Sequence, residues 1–483
     1  MLRKMKIQHR YPIIYFAVFF LSLFVLSSNA QVTWNGDGDG VNWSDPDNWD
    51  TDMVPVVADD VIIPAGSMVV ISSITSAVAR TVSLTEATLT IQAGGSLSID
   101  GDYFSGNAFD LDESVVINSG SVMVTMAEIN GIFLDNASTF TNNGTISVDN
   151  SSSDGLQLNG STPGSSFINN GILNFDNDGG EPIKLEGNAF FRNSVTGVIN
   201  IDNDREEAIH LDSPGAEFIN EGNIFINGAG EEGIELDLGT SFTNTRTGNI
   251  LISNIGLGGG GYEAIEIDGG TFINDGTIEI DGGDGADEGI DLDSGEIFDE
   301  DMDEFVDVPG IFINNGYITI ENVRGQGIEV QGTGSVFTNN LLINVGLSSS
   351  SEDIALIRVN ATLINSECGV INMTSSDSIS VESNGIITNE GVMTTVYTGE
   401  HNNDGTFTNN GEIATPDGMF NIAPNALMGT GMVTMGEIPR QPSAACNGVV
   451  PIPALSEWAL GILALLMTIF GLLWMKERRW AVG

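Results

Sequence analysis

Basic residues are scarce in this chain: fifteen Lys plus Arg stand against sixty-six Asp plus Glu, for a formal charge of −51. Four of the fifteen lie among the first ten residues and three among the last eight, so the region between keeps eight bases against sixty-five acids. Such a surface repels nucleic acid and anionic lipid, both of which are bound through Lys and Arg. There are three histidines and two cysteines, too few for a His-rich metal site or a disulfide scaffold. Ser/His/Asp spacings and phosphate-binding glycine loops are absent. The tryptophans all lie outside the central region, before residue 50 or after residue 457, which leaves few sugar-stacking platforms along it. Residues 67–437 show no helical periodicity, so helical fold classes are excluded for them.

What is present is repetition. The phrase aromatic or aliphatic, any residue, Asn occurs eleven times, usually followed by Gly and an aliphatic. It opens at Phe140, Phe167, Phe191, Phe218, Phe242, Phe272, Phe312, Phe337, Leu363, Ile387 and Phe407. Most copies are 24 to 27 residues apart, a solenoid period. A second phrase runs in step: an acid, a small residue, then aliphatic-x-aliphatic, as in Glu207-Ala-Ile-His-Leu211 and Glu232-Gly-Ile-Glu-Leu236. A third segment alternates after the glycine, as at 172–176. Alternation over three to five residues marks a strand with one buried face. Three such strands per coil predict an all-β, single-stranded parallel β-helix, with coils about 4.8 Å apart and the right-handed crossovers that parallel strands favour. About fourteen coils would form a rod of roughly 65 Å.

Asn142, Asn169, Asn193, Asn220, Asn244, Asn274, Asn314, Asn339, Asn365, Asn389 and Asn409 share one register. They are expected to turn the chain through left-handed backbone angles and to bond one another from coil to coil. An acidic insertion interrupts the array at 293–310 and is expected to be a surface loop.

Hard cations take oxygen ligands, and calcium is the candidate cofactor. Its candidate ligands are Asp37 and Asp39, then Asp284 and Asp287 in a Gly-Gly-x-Gly-x-Asp match, then Asp299, Asp301 and Asp303 in the insertion. The outward column Gln157, Lys184, His210, Glu235, Glu266, Asp291, Glu329 also stacks like charges, which a cation or plain solvation would relieve. Lys184 and His210, with Arg205 near, form the one basic cluster of the array and are the candidates for polysaccharide lyase or hydrolase chemistry.

The two ends read as addresses. Residues 1–30 have the basic start, apolar stretch and Ser-Asn-Ala finish of a secretory signal. Residues 459–475 carry no charge, near the lower length for a membrane-spanning helix, and Lys476, Arg478 and Arg479 behind them predict a cytoplasmic tail and an exported solenoid. Before the helix stand Ile452, Pro453, Leu455, Ser456, Glu457 and Trp458. Motif, helix and basic tail together resemble the IPTL-CTERM sorting signals of Gram-negative bacteria, with Ala454 where that family usually has Thr. The resemblance implies recognition by an exosortase-type membrane protease and delivery from the inner membrane to the surface. Residues 31–66, with Trp34, Trp43 and Trp49, are similar to the opening cap of bacterial surface β-helix proteins. Their rings either cover the first coil or offer glycan contacts. Residues 438–451 read as a linker. Cys446 lies there and Cys368 in a turn of the array; an exported chain permits their disulfide.

Three functions are therefore weighed. The first is a structural or adhesive rod facing other cells or surface polysaccharide. The second is a polysaccharide lyase or hydrolase. The third is a calcium-dependent glycan-binding module.

Overall fold

The computed structural model describes residues 31–446, apart from 103–105, 161, 257–261, 284, 300–303, 347–354, 359, 375–378, 383, 396–399, 402–404, 417–420, 423–426, 436–439 and 444–445. The expected signal segment 1–30, the sorting motif and the helix 459–475 lie outside the described residues. Among those described, no helix is long and apolar enough to cross a membrane. The chain divides at Arg440 into the solenoid and a second unit, Gln441–Gly483.

The alternation in sequence becomes alternation in burial. In the coil from Ser166 to Leu185, Phe167, Asn169, Leu173, Phe175, Ile183 and Leu185 are buried, while Ser166, Ile168, Asn174 and Lys184 point outward. The three strands of a coil, here Ser166–Asn169, Ile172–Asp176 and Ile183–Leu185, belong to three different sheets. Each pairs in parallel with its counterpart one coil away. Among the described residues the sheets hold fourteen, fifteen and fifteen strands. We call them the first face (Ile-x-Leu strands), the second face (Phe-x-Asn strands) and the third face. This is an all-β, parallel three-sheet solenoid. The first face already includes Gln31–Thr33 and Asp60–Ile63, so the opening segment is built into the stack.

The 293–310 insertion is an antiparallel hairpin, Gly295–Asp299 against Glu304–Val308, not an irregular loop. It does not shift the register. Asn274 pairs with Asn314 directly across it, because the hairpin closes on itself and returns the chain to the corner it left.

The interior is a stack of identical side chains. Phe140, Phe167, Phe191, Phe218, Phe242, Phe272, Phe312 and Phe337 lie face on face, with centroids 4.5–5.2 Å apart and planes within 19°. The spacing is the strand spacing, so ring contact and backbone ladder satisfy the same repeat. Each ring is fully buried, and burying one contributes about 1.5–3 kcal/mol.

Beside it runs the asparagine ladder. Asn118 begins it, and each Nδ2 donates to the next Oδ1 at 2.8–2.9 Å through to Asn409. The expected left-handed angles are not here. These residues end strands with ordinary φ, and five of the left-handed asparagines form another column: Asn150, Asn177, Asn203, Asn254 and Asn322, at φ 55–60°. They follow the third-face strands, where the chain turns toward the first face. The glycine two residues after a ladder Asn has a different purpose. A Cβ on Gly171 would overlap the carbonyl oxygen of Gly144 in the coil before, so close stacking of the corners excludes any side chain.

The N-terminal end is closed by tryptophan. Trp43 and Trp49 are fully buried and Trp34 nearly so. Trp34 and Trp43 both meet Trp49 edge to face at about 5 Å, and the Trp49 indole N–H donates to the Trp43 carbonyl at 2.9 Å. Buried this way, the rings cover the apolar end and present no platform to a glycan. Both cysteines, Cys368 and Cys446, are disulfide-bonded.

Candidate functional site

The Lys184–His210 pair and the closest groups of carboxylates among the described residues gather on the first face. Its short strands bury two aliphatics and turn one residue out, and parallel in-register pairing stacks those outward residues into a file. In order the file reads Ser83, Asp110, Phe133, Gln157, Lys184, His210, Glu235, Glu266, Asp291, Glu329. The acids that precede each strand, among them Glu181, Glu207, Glu232 and Glu263, flank the file along one side.

Lys184 and His210 are register partners, and Glu181 binds both. The Lys184 ammonium lies 2.7 Å from Glu181 and 3.5 Å from Asp212. His210 Nδ1 is 3.0 Å from Glu181, and Nε2 is 3.4 Å from Asp237 and 3.5 Å from Glu235. Burial opposes charge on each cation, but the carboxylates outweigh it. Lys184 is held above its ordinary range. Burial would lower His210, yet the Asp237 and Glu181 hydrogen bonds push it up to about 10. Glu181, despite its own burial, is held low by the hydrogen bonds from His210, Asp154 and Lys184. The cluster is an ion network. A lyase base must shed its proton near neutral pH, and these two cations are stabilised as cations. Arg205 is not among the groups that bind Glu181.

Past His210 the counter-charges run out and carboxylates meet one another. Ligand oxygens of Glu207, Glu232 and Glu235 all lie within 4.8 Å of one another, as do those of Glu232, Glu263 and Glu266. Glu232 belongs to both groups and is buried. Burial, reinforced by neighbouring acids, raises the whole run: Glu207 to about 7, Glu235 to about 9, Glu263 to about 10, Glu266 to about 8 and Asp291 to about 8. Farther along the file Glu329 has a cation, with Arg358 Nη1 2.9 Å away. Oxygens around one Ca²⁺ sit 2.3–2.6 Å from the ion, hence up to about 5 Å from one another, which is the spread found in both glutamate triads. Two further triads, Glu181/Glu207/His210 and His210/Asp212/Asp237, include an imidazole that the network keeps protonated and are less suited to a hard cation.

Of the calcium ligands expected from sequence, Asp37, Asp39, Asp287 and Asp299 fall among the described residues, and none of the clusters found there includes them. Asp287 pairs with Arg324 at 3.0 Å. Asp39 is consumed by its own loop, where hydrogen bonds from Asn42, Asn48 and Val41 hold its carboxyl well below the usual range. Asp299 lies on the hairpin, and Asp284, Asp301 and Asp303 fall outside the described residues. The glutamate triads were missed because each joins a pair three residues apart, Glu232/Glu235 or Glu263/Glu266, to a glutamate 25 to 34 residues away in the neighbouring coil. No linear spacing announces them. The signal available was the register itself, with the flanking acids counted beside the outward file.

Neither the curated proteins nor the solved structures gave a match to this chain. One family model does match: residues 450–479 fit the IPTL-CTERM motif. The chain thus joins a parallel β-solenoid to a C-terminal stretch similar to that sorting signal, an arrangement that fits an exported protein directed to the cell surface.

Proposed function

We propose that the chain is a surface-displayed structural or adhesive rod. Residues 1–30 direct export, and a helix at 459–475 holds the protein in the inner membrane with the solenoid outside the cytoplasm. An exosortase-type protease then cuts near Ile452-Pro453 and releases the solenoid toward the surface. The IPTL-CTERM match placed directly behind a solenoid carries this reading. Trp458 at the outer edge of the apolar stretch suits a membrane interface, and a span this short suits a temporary anchor. Mass spectrometry of surface material is expected to find no peptide containing Arg478 or Arg479. Pro453→Ala, or loss of the Lys476, Arg478 and Arg479 cluster, should leave full-length protein in the inner membrane. Intact tails on surface-exposed protein would sink the processing step.

No catalytic role is proposed, since the Lys184–His210 network supports cations held for structure. A second reading is favoured by the triads around Glu232: the first face binds calcium, which replaces the protons its crowded carboxyls otherwise retain. Nucleic acid is not a proposed partner, given the acidity of the chain.

A further inference from the structure

The first face carries a cavity at its other end. It has a volume of about 360 Å³ and lies over the strands Asp60–Ile63, Thr81–Thr85 and Phe109–Asp112. Asp60, Arg80, Ser83, Asn107 and Asp110 line it. Arg80 Nε donates to Asp60 at 2.8 Å, and Asn107 Nδ2 donates to one Asp110 oxygen at 3.0 Å. The walls are therefore set by their own hydrogen bonds before anything enters. Burial raises the Asp110 carboxyl, although the Asn107 bond opposes it. The next residue in the outward file is Phe133, the register partner of Asp110. It is half-buried, pointing out between buried Ile132 and Leu134, so part of its ring faces solvent about one strand spacing from the cavity.

This is an unusual neighbourhood on this chain. Elsewhere the described aromatic rings are mostly packed inside the solenoid or its cap. Here a concave polar site, with carboxylate oxygens, a hydroxyl and an amide, adjoins an outward aromatic ring. Polar groups fixed in a concavity recognise a ligand rich in hydroxyls, and the ring accepts the C–H face of a pyranose. The volume admits one or two sugar rings. The charge is selective: two carboxylates against one guanidinium leave a negative excess, so an acidic sugar is disfavoured.

We propose that this cavity, with Phe133 beside it, is a subsite for a neutral hexose residue of a polysaccharide. The inference deepens the adhesive reading by naming the ligand class. It does not depend on how the C-terminus is processed, and the test is made in solution, so either idea can fail alone. Purified full-length protein in detergent is titrated by ligand-observed NMR with maltotriose, with cellotriose and with triglucuronate. Either neutral trisaccharide should bind in the millimolar range, and triglucuronate at least about tenfold more weakly. Phe133→Ala and Asp110→Ala should each weaken binding about tenfold, while circular dichroism and melting temperature stay close to the parent. Asp110→Asn, which keeps a hydrogen-bonding side chain, should retain more affinity than Asp110→Ala. Failure of both neutral sugars to bind at 20-fold above about 1 mM, equal or tighter binding of triglucuronate, or binding indifferent to folded Phe133 and Asp110 variants would each overturn the subsite.

Discussion

A single ladder asparagine shows what one residue contributes. Asn244 accepts from Asn220 and donates to Asn274, both at 2.8 Å, and donates again to the Thr277 carbonyl at 3.2 Å. It is fully buried. Alanine would orphan partners in two neighbouring coils, and each buried unsatisfied group costs about 1–3 kcal/mol. Asn244→Ala is expected to lose about 3 kcal/mol in urea denaturation. Asn143, one position past the ladder, is exposed and takes a single bond from Asn170; Asn143→Ala should change stability by less than about 0.5 kcal/mol. Equal effects at the two positions would mean that burial of the ladder contributes nothing special. At the same scale, an orphaned buried oxygen remains on each of Asp178 and Asp204, whose carboxyls burial raises to about 7 and about 8. Both act like the first-face glutamates on stability.

At the scale of the element, the first face is a titration device. Glu235, Glu263, Glu266 and Asp291 have folded pKa values above the unfolded carboxylate value near 4. The folded state therefore binds more protons than the unfolded one. Their contribution is complete below about pH 4 and is lost as pH rises through about 8 to 10. Raised His210 has the same sign, and its support is lost as pH rises through about 10. Glu181, held low, works oppositely and loses its contribution in acid. Melting temperature is expected to be higher at pH 5 than at pH 8.5, and Glu263→Gln with Glu266→Gln should flatten that slope. Millimolar calcium at pH 8.5 should recover the lost stability in the parent, because a ligand of the folded state alone stabilises it, and should do little in the double variant. Equal recovery by sodium at matched ionic strength would assign the effect to screening.

The strands of the first and second faces were legible in sequence, since Ile-x-Leu alternation and the Phe-x-Asn beat both report burial directly. Three things were not. Asn118 sits in Val116-Ile-Asn118, an aliphatic copy like those at Leu363 and Ile387 that was not counted among the eleven, so the ladder starts one coil earlier than expected. The left-handed asparagines recur in sequence, as in Asp149-Asn150, Asp176-Asn177 and Asp202-Asn203, but lie one position past the alternating strand, where the burial pattern no longer guides the reading. The glutamate triads and the cavity arise between coils. They depend on register and on hydrogen-bonded walls, which no local pattern encodes.

For the solenoid as a whole, each coil touches only its neighbours, so stability is a sum of coil and interface terms. Ends then matter most. Trp49 sits at the closed N-terminal end between Trp34 and Trp43. Trp49→Ala should cost about 3–5 kcal/mol, and hydrogen exchange should accelerate in the strands at 31–71 before those near the Phe stack. Uniform acceleration along the solenoid would indicate a fully cooperative unit instead.

The amide ladder also has a direction. Every Nδ2 points toward the C-terminal neighbour and every Oδ1 toward the N-terminal one, an orientation fixed by backbone bonds such as Gly171 N–H to Asn169 Oδ1 and Asn169 Nδ2 to the Val198 carbonyl. Twelve side-chain dipoles from Asn118 to Asn409 are thus aligned head to tail, and aligned hydrogen bonds polarise one another. The stack is electrically asymmetric along its axis: one terminus of the ladder displays an acceptor, the other a donor. A coil packed against the C-terminal side of the ladder therefore meets a donor and one packed against the N-terminal side an acceptor, so the two ends of the stack are chemically distinct surfaces.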